Sequence, residues 1–505
     1  MIVVMAVGLV MFALIAATGF SCAAVDRTAG GVRRRWVSGA DSRSRDRMLV
    51  LALTLIVLAL AAPAWAACSG VSPNLTAASA NQIDFSDCIA LAVNGDTITV
   101  PAGSATWTST LKITKFVKLI ASGTVTITDN SAGGDPNAGG GPSFITITES
   151  TAGSTKVQGF TFVQGTSVHL GAAGIIQMDF VTGGQPILIA GNTFTQGGSG
   201  NAIVAHTNRG VIWNNTFTGV PSGGACLNNT AALRHKPTGL SSSWSTPSTF
   251  GSADTTGTGN LYFETNTLKN VLEALDTDDN GRTVVRYNTI INSGSVLHGV
   301  DTSGIYGGRY AEFYKNTWVL DPTPNPTCGG LQTNVNGWIN VRGGTILLHD
   351  NVIPDPSNAT WGQKVAIMFS VEQLRRYGGG FPCWDTLTAP GSGYPTPHNT
   401  GWGYVSGATV VNGTSCPNCP VRQDIEPIYI WNNTGTGNYN SPALVNWGCG
   451  TSEACPNCSS CPLISTYVQQ NREYYVGMPK PGYTAYQYPH PLTAGVPAPT
   501  GLTVK

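Results

Sequence analysis

Short apolar segments recur along the chain, and seven of them end at an asparagine that is followed by a second short apolar segment. The seven stretches read AGNTF, WNNTF, ETNTL, RYNTI, YKNTW, HDNVI and WNNTG. Val, Ile, Phe, Tyr, Trp and Thr surround each asparagine, and these residues favour strands over helices. The pattern predicts pairs of short strands, joined at a bend that contains the asparagine.

The spacing of these asparagines predicts a solenoid. Successive asparagines are about 22 to 28 residues apart, except where inserted residues make the interval longer. This period is typical of stacked repeats. Asn tolerates the left-handed backbone conformation of a sharp bend, and its amide can donate and accept hydrogen bonds. We therefore expect a ladder of stacked asparagines, formed by Asn192, Asn215, Asn266, Asn288, Asn316, Asn351 and Asn433.

Over roughly residues 80 to 490, this pattern resembles the right-handed parallel β-helix of the pectate-lyase-like superfamily. The segment GGRYAEFYKNTW also resembles a stretch of uncharacterised exported β-helix proteins. The resemblance implies an all-β fold. Residues 78 to 91 have apolar residues at spacings compatible with a short amphipathic helix, which is expected to cap the amino-terminal end. Ile83, Cys88 and Leu91 are expected on the packed face of that helix, ahead of a first strand at Thr97–Val100.

Segments outside the repeat complete the predicted organisation. Pro221–Gly259 and Pro354–Ile425 are long insertions, which in a solenoid leave through the turns and commonly form a binding cleft. The aromatic stretch GMPKPGYTAYQYPHPL is expected to cover the last coil. The β-helix domain is predicted over 68–490, with a carboxyl-terminal linker at 491–505.

Residues 1–67 are predicted to be an export signal region. Two apolar stretches, Met1–Ala24 and Met48–Ala67, are separated by arginines, and Ala64-Trp65-Ala66 provides the small residues of a cleavage site. Met48 is the predicted true start. A membrane anchor in the first stretch and a lipoprotein attached at Cys68 are the alternatives. We expect a secreted, extracellular or cell-surface protein without stable membrane association after cleavage of the signal.

The composition narrows the class of partner. Charged residues make up 11% of the chain and the formal net charge is zero, so the electrostatic signature of a nucleic-acid binder is lacking. The 12 Trp and 16 Tyr residues suit a polysaccharide, which binds through hydrogen bonds and aromatic faces. We expect a monomer that binds a polysaccharide and no nucleic acid.

The 12 cysteines fit an oxidising compartment. Cys68 and Cys88 bracket a short segment before the first strand, so a disulfide between them is expected to hold the amino-terminal cap. Cys416 with Cys419, and Cys455 with Cys458, have the spacing of zinc knuckles. Disulfides in surface loops are the favoured interpretation over zinc.

Two neighbouring segments carry the candidate chemistry, VLEALDT at 271–277 and VLHGVDT at 296–302. Aligned by similarity, they would place Glu273 beside His298 and Asp276 beside Asp301, at the spacing of paired strands. Two carboxylates so close need a bound cation, a shared proton or a nearby arginine such as Arg282, Arg286 or Arg309.

A calcium ion is one such cation. The run Asp276-Thr-Asp278-Asp-Asn280-Gly281 has the alternating oxygen ligands of a calcium loop, but Tyr287 stands where a complete loop has Glu. A plain polar turn is the alternative. By the resemblance, Asp276, Asp278 and Asp301 would hold Ca²⁺, and Arg309 or Arg282 would be the catalytic base. His298 is an alternative base.

Basic side chains are predicted to surround this acidic patch. His206 with Arg209, the run Arg234-His235-Lys236, and Arg342 would provide a cationic rim that suits an acidic sugar.

The functional prediction that combines these features is a polysaccharide lyase acting on uronate-containing polysaccharide. A glycoside hydrolase that uses the Asp276 and Asp301 pair remains open, as does a non-catalytic surface adhesin or glycan-binding module.

Overall fold

The structure is a computed structural model in which the described residues are 67–220, 230–237, 250–299, 307–321, 337–355, 365–370, 400–403, 424–437, 439–445, 464–466 and 468–495. The export signal region, the linker beyond residue 495, most of both insertions and Asp301 lie outside these ranges, as do the paired cysteines between 416 and 461. The predictions made for them stay predictions.

The chain folds as a right-handed parallel β-helix, as predicted. Strands of successive coils pair in parallel, for example Gly210–Trp213 with Leu261–Glu264. Parallel neighbours of this kind require crossover connections, which are right-handed in nearly all proteins. Each complete coil contributes one strand to a ten-stranded sheet and two strands to an eighteen-stranded sheet.

The ten-stranded sheet carries the candidate site. Its strands are Leu111–Ile113, Ile145–Thr148, Ile176–Asp179, Gly200–His206, Thr230–His235, Glu273–Thr277, Gly294–Leu297, Ile339–Val341, Ile367–Ser370 and Ala443–Val445.

The eighteen-stranded sheet begins with a hairpin and three long strands. It then has a separate strand before each ladder asparagine and a separate strand after each of the first five. The hairpin and long strands are Cys68–Val71, Asn74–Ala77, Thr97–Trp107, Lys118–Asp129 and Lys156–Gln164. Strands before the bends are Ile187–Ala190, Gly210–Trp213, Leu261–Glu264, Arg282–Arg286, Tyr310–Tyr314, Thr345–His349 and Ile428–Trp431, followed in the last coil by Tyr474–Val476. Strands after the bends are Thr193–Gly197, Thr216–Val220, Thr267–Lys269, Thr289–Ile291 and Thr317–Val319. A separate two-stranded sheet pairs Trp402–Gly403 with Asp424–Ile425.

The predicted asparagine ladder is confirmed over all seven residues. Each asparagine donates from its backbone N–H and from its side-chain amide to Oδ1 of the next one, as Asn266 does to Asn288 at 2.8 and 3.1 Å. The same contacts join the remaining neighbours up to Asn433. All seven side chains are buried.

The conformational reason given for these asparagines needs correction. Within each of the seven bends, the residue with a left-handed backbone is the one that immediately precedes the ladder asparagine, with φ between +51° and +63°. These residues are Gly191, Asn214, Thr265, Tyr287, Lys315, Asp350 and Asn432. The ladder asparagine therefore serves the bend through its hydrogen bonds, and the residue before it provides the turn.

Inward-facing side chains of successive coils form the core. Phe162, Phe194 and Phe217 stack in sequence, with ring centroids 5.3 and 4.9 Å apart. Equivalent positions on every coil repeat this apolar filling, so the core extends along the helix as one continuous cluster.

The amino-terminal cap differs from the prediction in the helix face that packs. The helix spans Gln82–Leu91 and buries Phe85, Cys88 and Ile89, whereas Ile83 and Leu91 are exposed. The predicted disulfide between Cys68 and Cys88 is present.

The aromatic carboxyl-terminal stretch does not cover the last coil, contrary to expectation. Residues 479–493 instead run along the outer side of the eighteen-stranded sheet. The N–H of His490 donates to Glu264, and the carbonyl of Tyr486 accepts from Arg286. In the described part of the chain, no helix has the length and apolar character needed to cross a membrane.

Candidate functional site

The candidate site lies on the outer face of the ten-stranded sheet. In the strand Thr230–His235, Leu233 packs into the core, so its neighbour Arg234 faces outward. Backbone hydrogen bonds between successive coils align five residues at one position on this face, two residues along the strand from Arg234. These five, which we call the charged row, are His206, Lys236, Asp278, His298 and Arg342.

The coil alignment that was predicted for this sheet is wrong. Glu273 pairs with Gly294 and not with His298, and Asp276 pairs with Val296. Asp301 itself lies outside the described residues. His298 nevertheless reaches Asp276, because it sits two positions beyond Val296 and its ring extends back across the strands: its Nε2 lies 2.9 Å from Oδ1 of Asp276.

An irregularity in the strand Glu273–Thr277 brings two carboxylates to the same face. The register with the next strand shifts between Glu273 and Leu275. Ala274 and Leu275 both pack into the core, so Glu273 and Asp276 flank them on the outside. In a regular strand, residues three apart would point to opposite faces.

Asp276 is the centre of a cluster of opposite charges. Nη1 of Arg234 lies 2.9 Å from Oδ2 of Asp276, on the side opposite His298. Nη1 of Arg342 lies 3.4 Å from Nδ1 of His298. The side chain of Asp276 is 2% exposed, whereas those of His298 and Arg234 are 13% and 20% exposed. Solvent therefore reaches His298 and Arg234, while the carboxylate of Asp276 lies beneath them.

A second set of ion pairs adjoins the first. Nζ of Lys236 lies 3.2 Å from Asp278 and 3.3 Å from Asp279, and Arg234 approaches Asp278 at 3.9 Å. Arg234 and Lys236 therefore neutralise the carboxylates of Asp276 and Asp278. The repulsion predicted between Asp276 and Asp301 stays a prediction, because Asp301 is outside the described residues.

The environment separates the acidities of the carboxyl groups. Burial acts to raise the pKa of Asp276, but the charges of Arg234 and His298 hold that pKa well below its ordinary value. Burial, together with the charge of Asp276, raises the pKa of Glu273 to about 7. A carboxyl with a pKa near neutrality can exchange a proton during a reaction at neutral pH.

The pKa values of Asp279 and Lys236, in the second set of ion pairs, are both raised. Burial and the neighbouring Asp278 raise the pKa of Asp279 to about 7. Burial acts to lower the pKa of Lys236, yet Asp278 and Asp279 raise it above its ordinary value. Lys236 therefore remains a cation in this site.

The two histidines predicted for the cationic rim, His206 and His235, lie in different surroundings. His235 faces the interior, where its ring contacts the Thr283 hydroxyl and the Thr207 carbonyl, and burial lowers its pKa to about 3. The prediction that His235 adds positive charge is therefore wrong. His206 lies on the charged row, with Nδ1 3.1 Å from Asp179.

Arg282 begins the strand Arg282–Arg286 of the eighteen-stranded sheet, and Arg309 immediately precedes the strand Tyr310–Tyr314 of the same sheet. Arg309 is fully buried and its Nη1 lies 2.8 Å from Glu426. Burial and the charge of Arg309 lower the pKa of Arg282 to about 10. Their predicted role as catalytic base stays a prediction.

Calcium binding also stays a prediction, because Asp301 is outside the described residues. Within the described ranges, no group of three or more His, Cys, Asp or Glu side chains is arranged to hold a metal ion. Ca²⁺ takes six to eight oxygen ligands, whereas Asp276 and Asp278 are paired with Arg234 and Lys236. These residues as placed do not fit a calcium ion, and no catalytic step is assigned to one.

Sequence reasoning missed Asp179 and Asp279. Asp179 pairs in register with His206, and a strand alignment based on the period could have found it. Asp279 follows Asp278 in a turn, where it has a left-handed backbone and reaches Lys236. Its role depends on that turn and has no signal in the repeat.

Comparison with known proteins gives a fold likeness and no family. No protein-family model matches the chain, and no curated protein is significantly similar to it. Among solved structures, one similar chain is a mannuronic acid-specific family 6 polysaccharide lyase from the human gut microbiota. The identity is 12% and the TM-score 0.30, over 70% of this chain and 77% of the lyase.

A second similar structure is a mutant tailspike protein of E. coli bacteriophage HK620 in complex with a pentasaccharide. The identity is 13% and the TM-score 0.31, over 70% of this chain and 57% of the tailspike. At these scores, neither likeness bears on the substrate or the reaction of this protein.

Proposed function

We propose that this protein is an exported polysaccharide lyase that cleaves uronate-containing chains by β-elimination on the outer face of the ten-stranded sheet. The observation that carries the proposal is the cluster of Asp276, His298, Glu273, Arg234 and Arg342. It combines an oriented base, a carboxyl that titrates near neutrality and two cations, which are the groups that this reaction needs.

β-Elimination begins with removal of the proton on the carbon next to the uronate carboxylate. That proton becomes acidic when the carboxylate is neutralised, so a cation must lie beside it. Arg342 and Arg234 flank His298 and Asp276, and a guanidinium can bind a carboxylate in a bidentate manner. We assign binding of the substrate carboxylate to these two arginines.

His298 is assigned as the base. Asp276 lies beside Nε2, which favours the neutral tautomer with its proton on Nε2 and an unprotonated Nδ1. This is the way that a carboxylate orients histidine in hydrolytic triads. Nδ1 would take the C5 proton once Arg342 turns to the substrate, and Asp276 would stabilise the resulting imidazolium.

Glu273 is assigned as the acid. As the C5–H bond breaks, a double bond forms between C4 and C5 and the bond from C4 to the glycosidic oxygen breaks. That oxygen leaves with the electron pair and takes a proton from Glu273, whose raised pKa keeps it partly protonated near pH 7. The products are an unsaturated uronate end and a free hydroxyl end.

The direct test is to incubate the purified protein with polygalacturonate and with alginate, and to follow the ultraviolet absorbance of the unsaturated product. We expect the absorbance to rise with the wild type. His298→Ala is expected to lower kcat by at least about 100-fold, the contribution typical of a general base. Parallel assays with added Ca²⁺ and with a chelator test the calcium prediction.

A control variant on the other sheet distinguishes loss of the site from a general effect on the fold. Lys269→Ala changes an exposed cation on the other sheet, where it pairs with Asp321, and should leave turnover unchanged. No absorbance change with either polymer, with or without Ca²⁺, would rule out the lyase.

A glycan-binding module without turnover is the second candidate. The ion pairs of Asp276 and Asp278 support it, because they leave these carboxylates neutralised within the protein. In that case the polymers would bind to the wild type, and neither His298→Ala nor Glu273→Gln would alter anything except affinity.

A further inference from the structure

A cavity of about 500 Å³ lies on a different face of the molecule, between the eighteen-stranded sheet and the carboxyl-terminal stretch. Its sheet side is formed around Tyr314, His349 and Trp431, and its other side by Tyr483, Tyr486 and Tyr488. Its volume is within the range of small-molecule sites, about 300 to 1,000 Å³. Nothing in the proposed lyase reaction uses it.

The aromatic wall follows from the register of the coils. Tyr314, His349 and Trp431 occupy the same position on successive strands. Their rings therefore stack nearly parallel, at interplanar angles of 6° and 9°.

The row of rings ends at Trp431. The last strand has Gly477 just beyond its pairing with Ile430, and a Cβ built there would meet nothing within 4 Å. The absence of a side chain at this position leaves space next to the aromatic wall.

Polar groups stand at the rim of the cavity and inside it. Lys315 and Asp350 are exposed at its edge. Within it, the Tyr483 hydroxyl lies 2.9 Å from Nε2 of His349, and Nδ1 of His349 lies 2.8 Å from Asp350. The cavity thus combines ring faces with a cationic donor, an anionic acceptor and a hydroxyl.

We infer that this cavity binds a pyranose ring of a polysaccharide chain, as a second glycan site that performs no chemistry. A sugar ring has an apolar face that packs on aromatic rings and hydroxyls that bind donors and acceptors at its edge. The inference rests on this cavity alone and does not depend on the proposed lyase reaction.

The cations already present argue against a quaternary ammonium ligand, which is the other usual occupant of an aromatic site. Nζ of Lys315 lies 5.4 Å from the Tyr287 ring centre, and the Arg286 guanidinium lies 5.4 Å from that of Tyr488. A third cation among these rings would be repelled, whereas a hydroxyl-rich ring would not.

Affinity electrophoresis tests the inference. The full-length protein is run in native gels that contain polygalacturonate, alginate or hydroxyethyl cellulose, and retardation is measured against polymer concentration. Ala485→Trp would fill the cavity from an exposed position. Tyr488→Ser would remove one aromatic face, and Asp350→Asn would remove the negative charge at the rim. Tyr475→Ala is the matched control, because Tyr475 stacks on Tyr429 on the same sheet outside the cavity.

The result expected is retardation of the wild type by at least one polymer, about tenfold weaker affinity in Ala485→Trp and Tyr488→Ser, and no change in Tyr475→Ala. Turnover of soluble uronate oligosaccharides should be unaffected in the cavity variants, which distinguishes this site from the sheet site. The inference is overturned if no polymer retards the wild type, if only Arg234→Gln abolishes retardation, or if choline chloride competes with the polymer.

Discussion

Replacing Asn288 by alanine interrupts the asparagine ladder near its middle. Oδ1 of Asn288 accepts from the backbone and side chain of Asn266, at 2.8 and 3.1 Å. Nδ2 of Asn288 donates to the Phe263 carbonyl and to Oδ1 of Asn316, both at 2.9 Å. The variant Asn288→Ala therefore removes four buried hydrogen bonds.

The expected loss follows from these four contacts. A buried hydrogen bond contributes about 1 kcal/mol, and a group left unsatisfied costs more, so the free energy of unfolding should fall by about 3 to 5 kcal/mol. Asn288→Asp keeps the acceptor but turns a second oxygen towards the Phe263 carbonyl and Asn316, so it should be at least as destabilising. Asn137→Ala is the control, because Asn137 is exposed, and a surface change of this kind costs at most about 0.5 kcal/mol.

Urea titrations followed by tryptophan fluorescence and circular dichroism measure the difference. If Asn288→Ala loses less than about 1 kcal/mol, or no more than Asn137→Ala does, the ladder does not stabilise the coils in the way argued here.

Three further predictions concern buried carboxyls and the cap. Burial raises the pKa of Glu312 to about 8, so the folded state holds a proton that the unfolded state releases. Stability should thus fall as pH rises from about 4.5 to 8, by at most about 1.4 kcal/mol per unit. Glu312→Gln should make this slope shallower in urea titrations; an unchanged slope contradicts the assignment. Replacing Cys68 and Cys88 together by alanine opens a link across 20 residues and should cost about 3 kcal/mol, seen as a lower urea midpoint. An unchanged midpoint would show that the disulfide does not hold the cap. If Glu273 is the acid, the kcat of the wild type should fall as pH rises through about 7. In Glu273→Gln this decrease of kcat with pH should be absent. If the decrease persists in the variant, it belongs to another group.

The repeat was predictable from the sequence because one residue type occupies one structural position. Each ladder asparagine has the same hydrogen-bonding role, so the seven stretches look alike. The left-handed residue before it was not predictable, since Gly191, Thr265, Tyr287 and Lys315 share no side-chain character. Only their backbone conformation is common to them, and stacking of the coils imposes it.

The residues around Asp276 were predictable except Asp179 and Asp279, but the pairing of the strands that carry them was not. Residue similarity placed Glu273 opposite His298, although the ladder spacing for that coil, from Asn266 to Asn288, is 22 residues. The shift between Glu273 and Leu275 moves the true partners further. A one-residue irregularity of this kind within a strand leaves no mark on the spacing of the ladder asparagines.

The masses of the cleavage products test β-elimination on the sheet face without relying on absorbance. Purified uronate oligosaccharides of known length are digested with the wild type and analysed by mass spectrometry. If the proposal is correct, the masses of the two fragments sum to that of the starting chain, and His298→Ala leaves the chain intact. Fragments whose summed mass exceeds it by one water would identify a hydrolase, and an intact chain with the wild type would show that the site does not cleave uronates.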